Sequence, residues 1–268
     1  MSVRAKKRFG QHFLNDTHVI NSIIDHIPFD DGQTLVEIGP GTGALTRPLL
    51  ARVRQLHVIE IDKDLATLLE SRLGADGKLV IHRQDVLRFD FCDQFSGPLT
   101  IIGNLPYNIS TPLLFHLLDQ AGCIGQMIFM LQKEVADRIC AEPGSGDYGR
   151  LSIMVQSQCR TEWLLNVGPE SFSPPPRVDS AVIRLYPQEH PGGQVRDRKL
   201  FNNLVRIAFT KRRKTIRNAL KTVVSEEALI QSGINPAARP EEIPVETYIR
   251  LANIVVANFV VDGNLQQG

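Results

Sequence analysis

At 268 residues, 43% hydrophobic and 22% charged, the chain has the composition of a soluble globular protein with room for one large domain and a small one. Its four cysteines (Cys92, Cys123, Cys140, Cys159) and seven histidines lack metal-ligand spacing and its longest apolar stretch, near Ile254–Val261, is too short for a bilayer, so we expect a cytoplasmic protein with no metal site, disulfide framework or membrane partner. The net charge of +1 conceals a segregation: residues 1–15 carry four bases (Arg4, Lys6, Lys7, Arg8) and no acid, residues 196–221 are net +9, and the remainder is net −12, a footprint for a polyanion.

The first 187 residues alternate apolar runs with amphipathic stretches, the signature of βαβ units in a mainly parallel sheet. Strands are expected at Thr34–Ile38, Leu56–Ile61, Leu79–His82, Leu99–Gly103 and Met127–Leu131, with helices over Ala44–Arg52 and Lys63–Leu73. Two further extended runs, Glu162–Val167 and Val178–Tyr186, have no long helix between them and suit a hairpin at one sheet edge. Pro187–Gly193 reads as a linker. Beyond it only helical patterns occur: Lys199–Phe209, Arg213–Lys221, a helix capped by Ser225 and stopped by Gly233, and a last one from Pro244 to about Asn258. The expectation is an α/β catalytic domain over residues 1–187 and a small all-helical domain over 192–268.

Val36-Glu37-Ile38-Gly39-Pro40-Gly41-Thr42-Gly43-Ala44 closes the first strand with a glycine turn that lets backbone approach a ligand. Glu60, at the end of the second strand, suits the two hydroxyls of a ribose. Together they indicate an adenosine-bearing cofactor without separating NAD from S-adenosylmethionine. Glu37 favours the latter, because a carboxylate suits a sulfonium or ammonium and opposes a pyrophosphate. Asp85, after the third strand, is placed to accept from an adenine amine, and no hydride-handling His/Arg pair stands out. The tetrapeptide Asn104-Leu105-Pro106-Tyr107 ends the fourth strand with an amide beside an aromatic ring, a pairing suited to a planar substrate with an exocyclic amine.

The chain resembles the ribosomal RNA adenine N6-dimethyltransferases, in particular the bacterial small-subunit branch, from about Lys6 to Ala257. The resemblance is carried by RFGQHFL at residues 8–14, Glu37–Gly43, NLPYNISTP at 104–112, ESFSPPPRVDSAVIRL at 170–185 and FTKRRKTIRNAL at 209–220. It implies a Rossmann-like, seven-stranded methyltransferase sheet with S-adenosylmethionine bordered by His12 and Leu14. Gly39 and Gly41 would form its glycine loop, Glu60 would hold the ribose, Asp85 the adenine, and Asn104 would bridge cofactor and target base. Position 12 is often Asn in this family, so His12 keeps only a contact made by backbone. The related resistance methyltransferases of large-subunit rRNA share the middle motifs more loosely.

On this reading the substrate is adenosine near the 3′ end of small-subunit rRNA in an assembling 30S particle, and the enzyme is a monomer. Asn104 Oδ1 and the Leu105 carbonyl would accept from N6 and free its lone pair, with Pro106 stiffening the turn. The target base must leave its stack. Tyr107 and Phe172 are the expected sandwich around it; Phe172 alone reads as core, and the adjoining prolines and the family motif argue otherwise. Arg206, Arg213 and Arg217 would share one face of a continuous helix and, with Lys211, Arg212 and Lys214, track RNA phosphates, the block having no acidic neighbours in sequence. The other readings are a large-subunit rRNA methyltransferase, a non-catalytic RNA-binding assembly factor and an NAD-dependent oxidoreductase.

Overall fold

A computed structural model describes residues 11–29, 32–188 and 192–265, with side chains to residue 258. The basic arm Arg4–Arg8 and the middle of the linker, 189–191, lie outside the described residues. The chain divides into two compact units: one comprises the residues up to Ala136 with Thr161–Pro187, the other Asp137–Arg160 and the residues from Gln188 onward.

The first unit is built on a seven-stranded sheet. It begins with a two-residue strand β1 (Phe13–Leu14) and helix α1 (Thr17–Asp25), whose N-cap Asp16 accepts from the amides of His18 and Val19. Then follow β2 (Thr34–Ile38), α2 (Thr46–Leu50), β3 (Leu56–Ile59), α3 (Lys63–Leu73), β4 (Leu79–His82), α4 (Phe91–Gln94), β5 (Leu99–Asn104), α5 (Ser110–Asp119) and β6 (Ile124–Gln132). After the helices α6 (Lys133–Cys140) and α7 (Arg150–Gln156) come β7 (Cys159–Val167), β8 (Phe172–Ser173) and β9 (Ser180–Pro187). The order across the sheet is β4-β3-β2-β5-β6-β9-β7. Strands β2 to β6 pair in parallel, and β9 runs antiparallel to β6. All five expected parallel strands are present, and β9 and β7 are neighbours at one edge as anticipated. The parallel strands are apolar on both faces because helices cover both: Leu35, Val36, Leu56, Val58, Ile101 and Ile102 are all buried.

Two expectations need correction here. Phe172 is packed into the core in this structure and does not line the cavity at the strand ends. It pairs with Leu14 in the short β1–β8 ladder and is 3% exposed in a core with Ile23, Ile24, Ile102 and Val182. Strand alternation explains it: in so short a strand Phe172 turns inward and Ser173 outward. The cysteines also behave differently, since Cys92 and Cys123 form a disulfide across 31 residues. The turn after α5 returns beneath α4, where the Gln120 side chain accepts from the amide of Phe91, one residue before Cys92.

The second unit is helical. Besides the end of helix α6 and all of helix α7, which the linear pattern did not group with it, it contains α8 (Arg198–Thr210), α9 (Ile216–Leu220), α10 (Glu226–Gln231) and α11 (Val245–Leu265). Its core joins Phe201, Leu204, Val205, Leu220, Leu229 and Ile249. Tyr148 and Tyr248 are buried and donate to the carbonyls of Ile243 and Pro240. Ser225 caps α10 and Gly233 follows it at φ +85°, as expected. Among the described residues no helix is long and apolar enough to cross a membrane.

Candidate active site

A cavity of about 220 Å³ lies at the carboxyl ends of the parallel strands, where open α/β sheets bind ligands. Each wall is the first turn after one strand: Gly39–Thr42 after β2, Glu60 and Ile61 after β3, Gln84–Leu87 after β4, and Asn104–Ile109 after β5. Gln11, His12, Phe13 and Leu14 close it from β1. The structure therefore brings together His12, Leu14, Gly39, Gly41, Glu60, Asp85, Asn104, Leu105, Pro106 and Tyr107 and leaves Phe172 out.

The glycine turn is needed for its backbone. Gly39 and Gly41 have φ of +64° and +58°, and a Cβ on Gly41 would meet the Phe13 ring at 3.2 Å. Gly103, on β5, is required by a closer approach, since a Cβ there would stand 2.5 Å from the Ile38 carbonyl oxygen on β2. That contact sets Asn104 beside the glycine turn.

The acidic groups are poorly hydrated. Glu37 is 2% exposed and accepts from the Thr46 hydroxyl at 2.7 Å; burial pushes its carboxyl up to about 8 despite that bond, and the Glu60 charge adds to the rise. Glu60 is also raised by burial, although its oxygens accept from the amides of Asp62 at 2.8 Å and Gly41 at 3.4 Å. A carboxylate has about four acceptor sites, so Glu60 retains capacity for a diol. Asp85 uses one oxygen to cap the turn at Leu87 (3.0 Å) and keeps the other. A carboxyl beside a glycine turn, with an acceptor after the next strand, fits the ribose and the amine of an adenosine.

On the substrate side, Asn104 donates from Nδ2 to the His12 carbonyl at 3.0 Å, so Oδ1 is the end left to accept from a ligand. The contact uses backbone at position 12, as the His12 departure required. The His12 ring lies against Tyr107, with centroids 5.7 Å apart and planes 26° apart, and its Nδ1 is 2.8 Å from the Pro174 carbonyl. The Tyr107 hydroxyl bonds to Ser180 Oγ at 2.7 Å. The sequence does not single out Thr46, Phe13 and Ser180 as site residues; Phe13 and Ser180 lie within the family motifs, but their packing against Gly41 and Tyr107 shows only in the folded chain.

The basic block is less uniform than its sequence suggests. Helix α8 stops at Thr210 and α9 starts at Ile216, so Arg206, Arg213 and Arg217 do not share one continuous helix. Acidic partners are also present: Arg212 lies 3.8 Å from Glu241 and donates to the Gly146 carbonyl, and Arg217 lies 3.4 Å from Glu226. Arg206, Lys211, Arg213 and Lys214 are exposed.

A glycine turn, two acidic strand ends and an amide-aromatic turn at the carboxyl edge of this sheet define a Rossmann-like methyltransferase acting on an amino group. The chain belongs to the ribosomal RNA adenine dimethylase family, whose model matches residues 2–256. S-adenosylmethionine is the methyl donor of that family. The chain is 52% identical over 252 residues, 93% of its own length and 94% of the relative's, to a protein of Pseudomonas aeruginosa named ribosomal RNA small subunit methyltransferase A. It is 53% identical to the protein of that name from Alcanivorax borkumensis, covering 94% of this chain and 90% of the other. Among solved structures, a dimethyladenosine transferase from Plasmodium falciparum is similar with a TM-score of 0.79 at 26% identity, covering 94% of this chain and 98% of that one. The 23S rRNA methyltransferase ErmE is similar with a TM-score of 0.70 at 27% identity, covering 91% and 99%.

Proposed function

We propose that this protein transfers methyl groups from S-adenosylmethionine to N6 of two adjacent adenosines near the 3′ end of small-subunit rRNA, acting as a monomer on an assembling 30S particle in the cytoplasm. The observation that carries the reading is the fixed amide of Asn104, with Nδ2 committed to His12 and Oδ1 free for an exocyclic amine.

When bound, S-adenosylmethionine supplies an electrophilic methyl on a sulfonium. Glu60 would hold its ribose, Asp85 its adenine amine, and Gly39 and Gly41 its path along the backbone, with His12 and Leu14 at its border. The chain's own task is then to make adenine N6 nucleophilic. Its lone pair is delocalised into the ring, and acceptors at the N–H bonds favour a pyramidal nitrogen. Asn104 Oδ1 and the Leu105 carbonyl are those acceptors, and they bind most strongly as positive charge grows on nitrogen, which is how such contacts raise rate. Pro106 stiffens the turn that carries them, and Tyr107 stacks on the flipped base. The proton leaves N6 for solvent afterwards. Exposed Arg206, Lys211, Arg213 and Lys214, with the partly paired Arg212 and Arg217, would track RNA phosphates.

The test is to incubate the protein with labelled cofactor and small subunits lacking the modification, then map the label. Two adjacent dimethylated adenosines near the 3′ end of the small-subunit rRNA are expected. Label in large-subunit rRNA alone, or cofactor binding with no transfer, would refute the proposal.

A further inference from the structure

We infer that Ser180 is a positioning residue for the target base: it locks the ring of Tyr107 by gripping its hydroxyl. The inference rests on the proposed role of Tyr107 as the platform for that base. Apart from Gln11–Leu14 at β1, the other site groups sit at or just after the carboxyl ends of parallel strands. Ser180 reaches the same edge by the opposite route, because β9 is antiparallel to β6 and so begins where the parallel strands end.

Its position is rigid. Ser180 is fully buried, opposes Gln132 in the β6–β9 ladder, and follows Asp179, whose carbonyl accepts from the Lys133 amide at 2.9 Å. The Tyr107 backbone is held separately, its carbonyl accepting from the Ser110 hydroxyl at 3.2 Å. The 2.7 Å bond between Tyr107 Oη and Ser180 Oγ therefore fixes the far end of the ring and so the direction of its long axis, while the His12 ring, 5.7 Å away and 26° from parallel, limits rotation about that axis. Stacking needs only a ring, for which Phe would serve. A phenol whose hydroxyl points at a buried serine is one whose polar end sets where its apolar body lies. The same bond places that hydroxyl with Ser180 and away from proton transfer to or from substrate.

The experiment is a double-mutant cycle read as steady-state kinetics on rRNA, with cofactor affinity measured separately. Ser180→Ala is expected to lower kcat about three- to tenfold, the size of one neutral hydrogen bond, with RNA KM and cofactor Kd changed by less than about twofold. Tyr107→Phe should match it, the double variant should be no slower than either, and Ser180→Thr should recover most of the rate. Full kcat in Ser180→Ala, or losses that multiply in the double variant, would overturn the inference while leaving the platform intact. Full turnover in Tyr107→Ala would overturn the platform itself, and the inference with it.

Discussion

The side-chain amide of Asn104 donates to the backbone carbonyl of His12 at 3.0 Å, across 92 residues of sequence. An Asn side chain has one donor end and one acceptor end, and fixing the donor selects the acceptor for the ligand. Asn104→Ala should lower kcat by about 100-fold or more, as loss of one preorganised polar group does, with RNA affinity nearly unchanged. Asn104→Asp is the sharper probe. It keeps an acceptor but cannot donate to His12, and a carboxylate facing that carbonyl is repelled. A loss of at least about tenfold is expected; wild-type turnover in the Asp variant would show that the amide's orientation is irrelevant.

Gly103 makes the geometry around Asn104 possible. A methyl group there would stand 2.5 Å from the Ile38 carbonyl oxygen, and backbone cannot rotate aside as a side chain can. Gly103→Ala should cost about 1–3 kcal/mol of stability, read from urea unfolding. It should also reduce turnover at temperatures where the variant is still folded, because β5 can only retreat from β2 by carrying Asn104 with it. Loss of stability with full kcat would show that the site tolerates the shift.

Much of the fold was legible because the parallel strands are buried on both faces and read as apolar runs, and the cofactor side of the site was legible because its residues follow those strands directly. Gly39, Glu60, Asp85 and Asn104 each sit at a strand end that periodicity locates. What stayed hidden depends on partners far along the chain. Phe172 turns inward because of a two-residue ladder with Leu14, a pairing too short to leave a pattern. The Cys92–Cys123 disulfide and the Arg212–Glu241 pair each join residues about thirty positions apart. Nothing in composition marks Asp137–Arg160 as belonging with the later helices rather than with the sheet.

Glu37 should make stability pH-dependent. Burial raises its folded value to about 8 from an ordinary 4.5. The folded state therefore keeps a proton that the unfolded chain releases, so the contribution is fully present below about 4.5 and is lost as pH rises through 8. The total is on the order of 5 kcal/mol. Glu37→Gln preserves an acceptor for Thr46 and removes the titration. Urea unfolding at pH 5.5, 7 and 8.5 should show wild type losing stability relative to the Gln variant at each step. Parallel profiles would mean that Glu37 is ionised when folded.

The basic block should divide under a salt titration of RNA binding. Each cation that neutralises a phosphate steepens the dependence of log K on log salt by nearly one. Arg213 is exposed between Arg212 and Lys214, so Arg213→Ala should weaken binding and flatten that slope by about one. Arg212 lies 3.8 Å from Glu241 and donates to Gly146 at 2.9 Å, which ties its guanidinium into its own unit. Its charge is already partly balanced, so Arg212→Ala should flatten the slope less. It should instead destabilise the helical unit by about 1 kcal/mol, the range of a partly exposed pair with one added hydrogen bond. Equal slope changes in the two variants would show that Arg212 leaves Glu241 for the RNA, and that the pair seen in the free protein is exchanged on binding.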